Sequence, residues 1–125
     1  GDLGAGKTTF IRALVKALGH EGRVKSPTYG LLEHYELPTL AVLHLDLYRI
    51  GDPGELEFLG LPDLLDEHTV LLVEWPERGR GFMPEPDLVM RLAPAPYNSL
   101  NARHLSLYAH SRSGNELCEF IDSQL

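Results

Sequence analysis

Residues 1–8 read Gly-Asp-Leu-Gly-Ala-Gly-Lys-Thr and match the pattern G-x-x-x-x-G-K-[ST] at every fixed position. Few features constrain a fold more, because the pattern is useful only where a strand hands over to a helix through a loop that wraps phosphate. Gly4 and Gly6 let the backbone curl so that successive amide N–H groups point inward, and the helix that follows adds the positive end of its dipole. Lys7 is placed to reach the β- and γ-phosphates and the Thr8 hydroxyl to ligate Mg2+. Nucleotide contacts are therefore expected along Gly1, Asp2, Leu3, Gly4, Ala5, Gly6, Lys7, Thr8 and Thr9. The helix is present: Phe10, Ile11, Leu14, Val15 and Leu18 recur at helical spacing over residues 7–18, and Gly19 ends the run. The leading strand is not in the sequence, so the chain reads as N-terminally incomplete.

A length of 125 residues with 43% hydrophobic content suits a single domain over residues 1–125. A lone cysteine, Cys118, forms no internal disulfide, and none of the six histidines has zinc-finger spacing, so the core has to hold without staples. The longest apolar stretch, Val70 to Val73, is far short of the roughly 18 residues of a membrane span, and no signal segment opens the chain. A cytoplasmic protein without membrane partners is expected. The formal net charge of −7 disfavours bulk affinity for a polyanion.

Residues 29–36 and 40–48 read as extended segments joined by Leu37-Pro38-Thr39, a hairpin. Asp52-Pro53-Gly54-Glu55 has the order of a helix start and predicts a short helix to Leu59, stopped at Gly60. A second helix is expected from Pro62, then a buried strand over residues 69–73. Two more strands are predicted at 87–92 and 104–109, around the loop 93–102. A last helix should be capped by Ser113 or Asn115, with Leu117, Phe120 and Ile121 turned inward. Cys118 on that helix reads as a packed thiol.

A phosphate loop needs a carboxylate near the metal, usually at the C-terminal end of an apolar strand. Two segments qualify: residues 40–46 end on Asp46 and residues 69–74 on Glu74. Asp46 is expected to be the metal acid, and Glu74 the water-orienting catalytic acid or a second metal acid. Lys7 completes the catalytic pair as the cation on the transferred phosphate.

Five blocks now fall in order: residues 1–9, Ser26-Pro27-Thr28-Tyr29, His44-Leu45-Asp46-Leu47-Tyr48-Arg49, Glu55-Leu56-Glu57-Phe58-Leu59-Gly60, and Val73-Glu74-Trp75-Pro76-Glu77-Arg78-Gly79. Together they resemble the bacterial TsaE (YjeE) family over residues 1 to about 92. The resemblance implies a three-layer α/β P-loop fold with a mixed sheet, from which the family's N-terminal strand–helix–strand is missing here. It also implies an ATPase working with TsaB and TsaD in making the N6-threonylcarbamoyl adenosine of tRNA, with ATP and Mg2+ as cofactors. By position, it puts Thr28 in a switch-like loop near the γ-phosphate, Asp46 in the Walker B role, and Glu74-Trp75 beside the nucleotide.

Other residues have bland alternatives. Trp75 suits an adenine stack or a core plug equally. Arg49 and Arg78 fit solvated arginines better than phosphate-neutralising fingers, and His44 reads as a satisfied buried histidine. Two competing functions share the same motifs: a small-molecule P-loop kinase, and a nucleotide-dependent binding module without turnover. GTP is disfavoured because no N-K-x-D segment is present. Between Arg49 and Arg78 lie eight acids and no lysine or arginine, which reads as a solvated face or as a docking surface for a basic partner. Contact with tRNA is then expected only through the partners.

Overall fold

The computed structural model describes residues 1–24, 31–95 and 101–125. Thr28 therefore lies outside the described residues, as does much of the 93–102 loop. The described chain forms two compact units, one of residues 8–83 and the other of residues 1–7 with 84–125.

Helix α1 (Lys7–Ala17) leads into the first unit, which carries strands β1 (Leu32–Glu36), β2 (Ala41–Asp46) and β3 (Thr69–Glu74). β1 and β2 are the expected hairpin, pairing antiparallel with Tyr35 opposite Val42. β2 and β3 run parallel, so that Asp46 stands beside Glu74 at their shared C-terminal end. The three strands make the mixed sheet expected from the sequence.

Alternation along β2 sends its side chains to two different cores. Val42 joins Ile11 and Val15 of α1, with Val24 and Tyr35, on one face. Leu45 joins Leu47, Leu56 and Leu61 on the other, against a 3-10 helix (Pro53–Leu59) and a single turn, α2 (Leu61–Leu64). Within this unit, helices thus cover both faces of the sheet, which is why β2 is buried almost throughout. The cap of the 3-10 helix is as read from the sequence, with the Asp52 side chain accepting from the Gly54 amide at 2.8 Å.

In the second unit β4 (Leu88–Pro94) and β5 (Arg103–Ala109) pair antiparallel, and α3 (Arg112–Gln124) follows. Its cap is Ser111, earlier than the Ser113 or Asn115 expected; the Ser111 hydroxyl accepts from the Gly114 amide and donates to Asp87. Leu117 and Phe120 are 46% and 62% exposed, where the sequence placed them inward. Gly114 is the buried residue of α3, seated against the backbone at Asp87. Among the described residues no helix is long and apolar enough to cross a membrane.

Candidate nucleotide site

The phosphate loop belongs to the second unit up to Lys7. Gly4 and Gly6 have φ of 81° and 108°, left-handed conformations that a residue with a Cβ adopts only at a cost. The turn between them and the chain start is closed by the Ala5 amide donating to the Asp2 carbonyl at 3.1 Å. Gly1 lies so near the Leu92 carbonyl of β4 that a Cβ there would collide with it. The Lys7 ammonium donates to the carbonyls of Gly1 and Asp2, folding its charge back over the loop. From β5, the Arg103 guanidinium donates to the Ala5 carbonyl at 3.0 Å, so the loop is tied to β5 while Gly1 lies close against β4. Arg103 lies 98 residues from Ala5 in the chain, and no local sequence signal connects them.

In the first unit, Thr8, Ile11 and Val15 fall on one stripe of α1, so Thr8 is the polar end of the helix face that packs on the sheet. Val42, His44 and Asp46 project on one side of β2, and Val70, Leu72 and Glu74 on the same side of β3. These two rules bring Thr8 to Glu74: the Thr8 hydroxyl donates to Glu74 Oε1 at 2.9 Å. Glu74 is 4% exposed, and its Oε2 is 2.8 Å from Nε2 of His44, which is 1% exposed. Asp46, half-buried at the end of β2, accepts the Tyr48 amide at 3.0 Å.

Trp75 follows Glu74 with φ of 58°, the one positive φ outside glycine among the described residues. Such a backbone costs roughly 1–2 kcal/mol and persists only where its surroundings impose it. Here the indole packs on the Leu45–Leu47 cluster and lies 5.0 Å from the Tyr48 ring. The Arg78 guanidinium sits 4.7 Å from the Tyr48 centroid and 5.4 Å from that of Trp75, and donates to the Tyr48 carbonyl. Arg78 is thus tethered to aromatic rings, whereas Arg49 and Thr9 are exposed.

Asp46, Glu74 and Thr8 come together at the carboxyl ends of parallel strands, where ligands of open α/β sheets bind. A hydroxyl beside two carboxylates is a hard oxygen donor set suited to Mg2+, which takes its other ligands from phosphate and water. Among the described residues no cluster of three or more His, Cys, Asp or Glu side chains forms a cage for a metal. A cleft of about 360 Å3 opens at the opposite end of the sheet, lined by His34, Glu36, Thr39, Asp63, Asp66 and His68 among others. It lacks the loop, the hydroxyl and both strand-end acids. His44 has a partner that its place on an apolar strand does not announce, since its contact with Glu74 depends on the pairing of β2 with β3.

A family model described as "Threonylcarbamoyl adenosine biosynthesis protein TsaE" matches residues 1–104. The chain is 43% identical over 117 residues to the tRNA threonylcarbamoyladenosine biosynthesis protein TsaE of Haemophilus influenzae, covering 94% of this chain and 72% of that protein. It is 39% identical over 93 residues to the protein of the same name from Rickettsia bellii, covering 74% of this chain and 64% of that one. The crystal structure of YdiB from Bacillus subtilis superimposes with a TM-score of 0.72 at 27% identity, over 99% of this chain and 74% of that one.

Proposed function

The chain belongs to the TsaE family, and from that premise we propose that it is a Mg2+-dependent ATPase whose turnover supports a TsaB–TsaD complex in the threonylcarbamoylation of a tRNA adenosine. The observation that carries the reading is the Thr8–Glu74 hydrogen bond, which joins the last residue of the phosphate-loop motif to the acid that closes β3.

Phosphate oxygens of ATP are received by the amides of residues 1–8, with Lys7 supplying the cation on the β- and γ-phosphates. Thr8 and the strand-end acids Asp46 and Glu74 would hold Mg2+, which neutralises charge on the phosphates when bound. Glu74 orients the attacking water. The water oxygen bonds to the γ-phosphorus as the bond to the bridging oxygen breaks, giving ADP and inorganic phosphate. Trp75 and Thr28 complete the nucleotide contacts.

The names of the relatives support the tRNA-modification role, and the net charge of −7 favours reaching tRNA through the partners. The pathway acts on tRNA, which suits a cytoplasmic protein.

Phosphate release from ATP tests the reading. The protein is expected to turn ATP over slowly, to stop when EDTA removes Mg2+, and to lose on the order of 100-fold or more in Lys7→Ala. Turnover that instead delivers phosphate to a small hydroxylated acceptor would make the protein a kinase. Nucleotide-dependent capture of TsaB–TsaD without hydrolysis would make it a binding module.

A further inference from the structure

His44 stands in the middle of β2, a strand otherwise filled with Ala, Val and Leu until Asp46. Its imidazole is 1% exposed, so both ring nitrogens are cut off from water. Nε2 meets Glu74 Oε2 at 2.8 Å, while Nδ1 has no hydrogen-bond partner among the described residues. A leucine or valine would fill this position without an unsatisfied polar atom, and buried polar pairs commonly give less stability than apolar replacements of similar size. The position therefore holds an imidazole for what Nε2 does, because the ring's own hydrogen bonding is left half unmet.

We propose that His44 is a positioning residue for Glu74: its Nε2–H donates to Oε2 and fixes the rotation of the carboxylate, so that Oε1 is held toward Thr8. The tautomer follows from the surroundings. A carboxylate oxygen accepts, so Nε2 carries the hydrogen, and an unmet lone pair on Nδ1 leaves no buried donor stranded. Two fixed elements then determine the plane of the acid, the N-terminal turn of α1 through Thr8 and the centre of β2 through His44. Neither oxygen turns without breaking a hydrogen bond. This role rests on the ATPase reading above, and it predicts that His44 affects the rate of hydrolysis more than the grip on nucleotide.

Two substitutions separate positioning from packing. His44→Gln can return an N–H to the Nε2 position, whereas His44→Leu fills the space with no donor. Positioning predicts that kcat falls on the order of 10–100-fold in His44→Leu and recovers to within about threefold of wild type in His44→Gln. Mg·ADP affinity should stay within about twofold in both. A packing role predicts the reverse order, with the apolar leucine tolerated at least as well as the amide. A readout without turnover comes from 15N-edited NMR of the histidine rings. It should show His44 protonated at Nε2, with that resonance shifted in Glu74→Gln. Full turnover in His44→Leu, or a ring protonated at Nδ1 alone, overturns the positioning role and leaves the ATPase reading standing. Absence of any Lys7-dependent turnover in the wild-type protein overturns the ATPase reading and the positioning role with it.

Discussion

At the level of single residues, the motif at residues 1–8 is open to a local reading because it is contiguous, while contacts across the fold are not. Asp66 also works locally, although no motif marks it. Its carboxylate accepts from the Thr69 hydroxyl and the His68 amide, both at 2.8 Å, closing the turn into β3. The Thr69 hydrogen bond, then the His68 amide, hold its carboxyl below the ordinary carboxylate range. A lowered folded value means that the contribution to stability is complete above the unfolded carboxylate range and is lost as pH falls through the folded value. Asp66→Ala should therefore lower Tm at neutral pH, and the gap to wild type should close on acidification. A gap that persists down to about pH 2 would contradict this. The roles expected of Lys7 and Thr8 are local in the same sense, since their motif is contiguous. His44 lies on an apolar strand and is buried, but its partner is set by the register of β2 against β3, which places the His44–Leu72 pair two positions before the Asp46–Glu74 pair. Alternation along the strand does place Val42, His44 and Asp46 on one face; what it lacks is the identity of the neighbouring strand.

At the level of elements, patterning located the described strands and helices to within a few residues, apart from the 3-10 turn Pro76–Gly79, while caps and inward faces depended on contacts that sequence does not display. α3 shows the difference. Ser111, Ser113 and Asn115 are all competent caps, and the choice falls on Ser111 because its hydroxyl also reaches Asp87. That choice brings Gly114 against the strand, where a Cβ would collide with the Asp87 carbonyl oxygen. Gly114→Ala should cost roughly 1–3 kcal/mol, the range for overpacking against a backbone that cannot yield. Chemical denaturation would read it, and an unchanged midpoint would show that α3 does not rest on Asp87. The left-handed Trp75 is likewise beyond a local reading, because its ring packs against Tyr48 from another part of the unit, with Arg78, three residues on, over both rings.

At the level of the whole molecule, the acidity is local. Eight of the 18 acids lie between Arg49 and Arg78. Of these, Asp52, Glu55, Glu57, Asp63, Asp66 and Glu67 are exposed, whereas Glu74 is buried in the site. Phe58, 90% exposed, sits among them, so the surface joins an apolar contact to negative charge. If the proposed partnership holds, such a surface suits a basic patch on the partner. Glu57→Lys and Asp63→Lys together should weaken capture of that complex and spare Mg·ATP affinity; unchanged capture would return the segment to a solvated face. Asp66 is a poorer probe because reversing its charge also opens the turn it closes. The central claim is that the acid at the end of β3, held by Thr8 and His44, carries ATP hydrolysis. Its most direct test is single-turnover hydrolysis of Mg·ATP by wild type and Glu74→Gln, with nucleotide affinity measured on the same samples. The expected result is binding by both, at Mg·ATP concentrations that saturate each, and a loss of the chemical step on the order of 100-fold or more in the variant. Hydrolysis by Glu74→Gln at the wild-type rate would contradict it.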